Sequence, residues 1–201
     1  LRRPPRPRKP ELEKQYRMSY LQNHLLIAMP TMEDNFFARS VIYVCEHNAK
    51  GAMGLTLTVP LDMDLHHLLT QMKIEDVDLE LSHQPVLAGG PVNTDRGFVL
   101  HTPRLGLHSS LQLTDDLMIT TSLDILKELA TGNAPEQFLV ALGYAGWEAG
   151  QLEQELLDNS WLTLPATTEL LFNTPWQDKW LAATHAMGID IWRVAPQAGH
   201  A

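Results

Sequence analysis

Cysteine is almost absent: Cys45 stands alone among 201 residues. An internal disulfide is therefore excluded, which fits a reducing compartment and points to a cytoplasmic protein. Long apolar runs are missing too; none reaches the roughly 18 residues that carry a helix across a bilayer, and no membrane association is expected. Aromatic residues make up only 7%, yet hydrophobic residues reach 44%, enough to bury one substantial core.

Basic residues are scarce once the first 17 positions are set aside. That stretch, LRRPPRPRKPELEKQYR, holds seven basic and two acidic residues, a charge of +5, and leaves 8 basic and 22 acidic residues, or −14, over 18–201. A body this acidic repels a phosphate backbone, so direct nucleic-acid binding is disfavoured and would have to come from the tail. The tail is proline-rich and self-repelling, which reads as disorder. Its basic start is not followed by an apolar segment, so it supports neither a Sec nor a twin-arginine signal. We expect it to lie upstream of a natural start at Met18, with one domain over 18–201.

Apolar patterning outlines the body. HLLIAMP (24–30) and VIYVCEH (41–47) read as strands, the second apolar on both faces as a central strand would be. Between them, 31–40 reads as a loop pinned by Phe36 and Phe37. NAKG (48–51) turns the chain into a return strand, 52–60, ended by Pro60. Helical spacing marks 61–73. A strand, a Gly-Gly-Pro turn, an Asp-Arg-Gly turn and another strand are expected over 84–103. Short strands over 109–122 precede a helix that Ser122 caps and Gly132 ends. A buried strand (137–147) runs into a glycine-rich bend, then a helix over 149–162 with Leu152, Leu156 and Leu157 inward. The last helix carries a capping box, Thr174 and Gln177, with Pro175 at its first position and Gly188 at its end. IDIWRV (189–194) is a final strand. Strands cluster while helices interrupt them irregularly, a pattern of the α+β class with a mixed sheet.

Signatures of chemistry are thin. No GxSxG elbow, HExxH pair or zinc-closing Cys/His spacing occurs among the nine histidines, so neither metal nor cofactor is expected. AGGPVNTDRG lacks the Gly-Lys-Ser/Thr ending of a P-loop, and GYAGWEAG (143–150) is not a dinucleotide fingerprint. Both glycine runs read first as tight turns, and glutamates 148, 153 and 155 oppose an anion at the second. Arg96 is expected to pair with Asp95 within its turn, or to read a carboxylate in a concave site. Strand alternation puts Tyr43, Cys45 and His47 on one face and Glu46 on the other. Cys45 and His47 then sit about 7 Å apart, too far for a nucleophile–base dyad. If NAKG is the turn, Cys45 faces Gly54, and the missing side chain there leaves space over the sulfur.

Three long segments, HLLIAMPTMEDNFFARSVIYVCEHNAKGAMGLTLTVP, VLAGGPVNTDRGFVLHTP and ALGYAGWEAGQLEQELLDNSWL, follow one another in the order of the AlgH/YqgE family of bacterial proteins, which this chain resembles over residues 20–201. The closing AGHA also fits, whereas Thr58 departs from the asparagine the family pattern has there. The resemblance implies a complex α+β fold: a branched mixed β-sheet with a small barrel-like part, surrounded by helices. It also implies association with the regulation of alginate production, as a transcriptional regulator with no established catalytic residue. The matching positions of interest are Cys45, Glu46, His47, Gly54, Gly89, Gly90, Arg96, Gly97, Gly143, Gly146, Trp147 and Gln151. The reading leans away from an enzyme and towards a regulatory protein acting through a protein or small-ligand partner. The alternative is a thiol-based redox protein or enzyme using Cys45, with His47 or His101 as base.

Overall fold

The computed structural model describes residues 20–75 and 83–190. Ten strands form one continuous assembly: β1 (His24–Ala28), β2 (Val41–Asn48), β3 (Gly51–Thr56), β4 (Pro60–Asp64), β5 (Pro85–Ala88), β6 (Val92–His101), β7 (Ser110–Thr114), β8 (Leu117–Thr120), β9 (Phe138–Glu148) and β10 (Trp161–Pro165). Helices α1 (Leu65–Gln71), α2 (Leu123–Ala130), α3 (Gln151–Leu157) and α4 (Lys179–Ala186) are short, and a π-helical turn (Glu169–Asn173) precedes the last. The main path runs β10-β1-β2-β3-β9-β6-β8-β7, and it branches at β9, which also pairs β5 in parallel. The other pairings are antiparallel, so the sheet is mixed and strands dominate the fold. It curls as a half-barrel whose path stays open among the described residues.

That curl is visible in the core. Leu25 and Ile27 of β1, Tyr43 of β2, Leu55 of β3, Phe98 and Leu100 of β6, Ile119 of β8 and Ala141 of β9 join one buried cluster, closed by Leu171 and Trp180. Strands that far apart along the sheet share a face only if it bends round. Trp180 is anchored by donating its indole N–H to the Ala28 carbonyl at 2.9 Å. The reverse face carries two further clusters, one under α1 and α2, the other joining Trp147, Trp161 and Leu152 of α3.

The apolar run of β2 is buried on both faces from Val41 to Cys45, as its composition implies. Several other expectations are corrected. Pro60 opens β4 instead of closing β3, because a residue without an N–H fits the start of an edge strand. The helix expected over 61–73 starts only at Leu65, where Asp64 caps it by accepting from the His67 amide at 2.9 Å. Asp95-Arg96-Gly97 is no turn, and 143–147 is no bend; both lie inside long strands. The helix after Gly150 ends at Leu157, which is 77% exposed, and Trp161–Leu162 begin β10. Ser122 occupies the cap position of α2, but its hydroxyl bonds the His108 carbonyl and the Asp124 carboxylate rather than the helix amides. Thr174 and Gln177 form no capping box: Asp178 precedes α4, and the Thr174 hydroxyl donates to the Glu169 carbonyl to close the π turn. Of the strand expected over 189–194, residues 191–194 lie outside the described residues, as does the basic tail over 1–17.

A glycine interlock holds the branch point. Gly143 has φ +75 inside β9, and a Cβ there would sit 2.5 Å from the Gly90 carbonyl oxygen and 3.1 Å from that of Val92. In return, Cβ atoms at Gly89 and Gly90 would overlap the backbone of Gly143 and Tyr144. The two backbones touch, and hydrogen bonds cross the junction: Gly89 N–H to the Leu142 carbonyl, and Thr56 N–H to that of Gly89, each at 2.8 Å.

Gly143→Ala is expected to lower the urea-unfolding free energy by about 3 kcal/mol or more, since both backbone fit and φ oppose the methyl. Gly106→Ala, at φ +84 with nothing within 4 Å of the new atom, is expected to lose only about 1–2 kcal/mol. Equal losses at the two positions would contradict the interlock.

Candidate functional site

The β2–β3 hairpin does not keep regular alternation. Val44 pairs Gly54 and Glu46 pairs Met53, so Cys45 is the extra residue of a β-bulge. The bulge reverses the faces beyond it. Tyr43 and Cys45 belong to the core inside the curl, whereas His47 lies on the reverse face opposite Ala52. The expectation that Cys45 and His47 share a face is overturned, and so is the idea of Gly54 beneath the sulfur. A Cβ at Gly54 would lie 2.7 Å from Ile42 Cγ2 and 2.8 Å from the Tyr43 carbonyl oxygen, so this glycine permits close packing, not access.

Cys45 is 5% exposed, and its sulfur lies 4.0 Å from the Tyr43 carbonyl oxygen. Burial first, and the Glu46 charge second, push the thiol up to about 12. A reactive thiol needs the opposite shift. His47 is committed elsewhere. Its Nδ1 accepts the Leu21 N–H at 3.0 Å, which leaves Nε2–H to donate to Glu153 of α3 at 2.6 Å. His101 is wholly buried, donates Nδ1–H to the Thr102 carbonyl at 2.8 Å, and accepts the Thr120 hydroxyl at 2.7 Å. Burial holds its basicity below the ordinary histidine value. Neither histidine serves Cys45 as a base.

Other positions divide between backbone and mouth. Gly89, Gly90 and Gly143 form the interlock. Trp147 is 7% exposed, packs on the reverse face and also contributes to the lining of the open cavity at the end of β9, and the Gln151 side chain accepts the Glu148 N–H at 3.0 Å to close the turn into α3. Gly97 lines a 290 Å³ cavity between β6, β8, α1 and α2, together with Asp95. Arg96 leaves on the other side. Between the Val92–Tyr144 and Gly97–Leu142 pairs, residues 93–96 of β6 stand against Gly143 alone, and this wide irregularity swings Arg96 outward. Its guanidinium lies over the Phe98 ring, 5.2 Å being the corresponding distance for Arg39 over Trp180 and 5.4 Å that for Arg96. The expected pairing with Asp95 within a turn is not what positions it.

Arg96 and Gly146 meet at an open cavity of about 560 Å³ whose floor includes Met53, Phe98 and Tyr144 and whose rim carries Lys50 and Glu148. Phe98 and Tyr144 pack edge to face, 5.9 Å apart. Glu46 pairs with Met53 in the same hairpin, exposed, and accepts from the Asn48 amide at 3.0 Å. All three long sequence segments thus contribute to one mouth: the hairpin turn, the start of β6 and the end of β9. Cys45 does not line it. Lys50, Met53, Phe98 and Tyr144 escaped the sequence reading, because only the bulges determine which side chains emerge here. Thr58, the departure from the family pattern, lies elsewhere and accepts the Val41 N–H at 3.2 Å, tying the hairpin's open end. No group of three His, Cys, Asp or Glu side chains gathers to hold a metal among the described residues.

Comparison with known proteins places these features in a wider set. The AlgH-like family profile matches residues 25–192. A UPF0301 protein of Shewanella loihica is 55% identical over 185 residues, covering 92% of this chain and 100% of that protein. One from Pseudoalteromonas translucida is 52% identical over 185 residues with the same coverage. The solution structure of the AlgH protein of Pseudomonas aeruginosa superposes with a TM-score of 0.74 at 47% identity, covering 91% of this chain and 97% of that one. A crystal structure of protein DIP2367 from Corynebacterium diphtheriae shares the fold at a TM-score of 0.69 and 22% identity, covering 88% and 92%.

Iodoacetamide is expected to alkylate Cys45 about a hundredfold or more slowly in the native protein than in denaturing urea, because reaction awaits local opening. Comparable rates would place the thiol at the surface. His101 has its folded pKa lowered from 6.5, so the unfolded chain takes up protons first as pH falls. Its contribution to stability is complete above about 6.5 and is lost progressively below that value. Urea midpoints measured against pH should therefore fall less steeply in His101→Gln than in the parent; identical slopes would contradict this.

Proposed function

The chain belongs to the AlgH-like family, and from that premise we propose that it is a non-enzymatic regulatory protein that works by holding a protein partner at the mouth of the curled sheet. One observation supports this reading above the others: segments separated by about a hundred residues converge on an open cavity with an apolar floor and cationic arms. The chemistry there suits recognition. Arg96 supplies a planar, permanently charged fork for a carboxylate, and Lys50 a second cation across the cavity. Met53, Phe98 and Tyr144 offer apolar surface beneath them. Glu148 on the same rim selects against a uniformly acidic ligand. The partner segment we infer therefore combines one acidic group with apolar side chains.

Regulation through a protein, and not by direct contact with DNA, follows from the −14 charge over 18–201, which a phosphate backbone would meet as repulsion. The thiol reading has no supporting observation, since Cys45 is buried, carries a raised pKa and does not line the mouth.

A photo-crosslinking residue introduced at Lys50 or Val92, both exposed on the mouth, is expected to capture one discrete protein adduct in cells, and Arg96→Glu combined with it should abolish that adduct while the melting temperature stays within a few degrees. The same label at Leu157, 77% exposed on α3, should capture nothing discrete. Adducts that are identical at all positions, or that consist of nucleic acid, would overturn the proposal.

A further inference from the structure

A second site lies apart from the mouth and shares no lining residue with it. Lys179, the first residue of α4, is only 3% exposed yet lines a cavity of about 570 Å³. That volume lies in the range of small-molecule pockets. Its ammonium donates to the Leu170 carbonyl at 2.6 Å and the Leu171 carbonyl at 2.7 Å, both in the π-helical turn. Widening the helix there frees these carbonyls, and the lysine caps them. Capping accounts for two donors of three. No carboxylate of the described residues pairs with this ammonium, so its charge is met by dipoles alone. Its place at the first turn of α4 adds the positive end of a helix dipole, which opposes a cation and favours an anion beside it. Burial pulls its basicity down to about 8, as a desolvated ammonium without a counter-ion requires.

The walls say what kind of anion fits. Leu57, Leu139, Phe172 and Trp176 are apolar, and Glu136 stands exposed at the rim, where it repels a second negative charge. We propose that this cavity binds a small monocarboxylic acid with an apolar body, its carboxylate paired with Lys179 Nζ and its hydrocarbon part laid against Phe172 and Trp176. Binding there would complete the third donor of the ammonium and exclude water from the pair.

Octanoate is the probe, with octanamide of the same length as the neutral control, both below the concentration at which they self-associate. On the parent protein, calorimetry is expected to give one octanoate site, with amide resonances of 137–139 and 172–179 shifting, and octanamide binding about ten- to a hundredfold more weakly. Lys179→Met should remove the preference for octanoate; if that variant does not fold, the comparison of the two ligands on the parent protein still decides. Equal affinity for both ligands, shifts centred away from the cavity, or no octanoate binding at all would overturn the proposal.

Discussion

Contact between two bare backbones, Gly89–Gly90 against Gly143, is the constraint on which the rest of this fold depends. Strand β9 must pair β3 and β5 in succession along one edge and β6 along the other. A regular strand with side chains at the junction could not bring three neighbours that close. Removing side chains from both backbones lets the chain at 88–90 cross β9 within hydrogen-bonding range, and the positive φ at Gly143 reverses the faces of β9 at the same point. Ahead of it, Ala141 faces the core inside the curl; beyond it, Tyr144 does, while Ala145 and Trp147 go to the reverse face.

The working surface follows from that reversal. Tyr144 reaches the floor of the mouth because the positive φ at Gly143 turns the faces of β9 over, and Arg96 reaches its rim because β6 loops out opposite the same glycine. The bulge at Cys45 acts likewise in β2. It sends Glu46 towards the mouth side of the hairpin and His47 to the back, where Glu153 fastens α3 against the sheet. Three departures from regular pairing thus sort charged and aromatic side chains into a front that is open and a back that is packed. Cys45, which catches the eye in the sequence, sits at the pivot of one departure and is sealed there.

Much of this was legible in the residues, and what was not has definite causes. The two-faced burial of β2 follows from an apolar run without alternation, and the hairpin turn from Asn48 to Gly51, whose Asn48 side chain accepts the Lys50 amide at 2.8 Å. The family motifs and the mixed sheet were equally plain, whereas the expected surround of helices shrank to a few short ones on a fold that strands dominate. Bulges were not, since one extra residue leaves no mark in a pattern of apolar residues yet inverts every side chain after it. Gly97, Gly143 and Gly146 read as turn residues because glycine does serve turns; here they lie inside extended strands, Gly143 in close backbone approach, while Gly89 and Gly90 do link β5 to β6 and Gly150 does turn the chain into α3. Lys179 was hidden for another reason: a lysine near a helix start reads as a solvated surface residue, and the carbonyls that bury it come from a π-helical turn that sequence spacing does not announce.

The glycine interlock, not the hairpin or the helices, is the structural anchor of the molecule. Native-state hydrogen exchange of the Gly89 and Thr56 amides reports on that anchor, because their bonds to Leu142 and to Gly89 cross the junction. These two amides are expected to exchange as slowly as those of Ile27 and Ile42 in the core, through global unfolding alone. Exchange on the timescale of the Lys50 amide, at the tip of the hairpin, would contradict it.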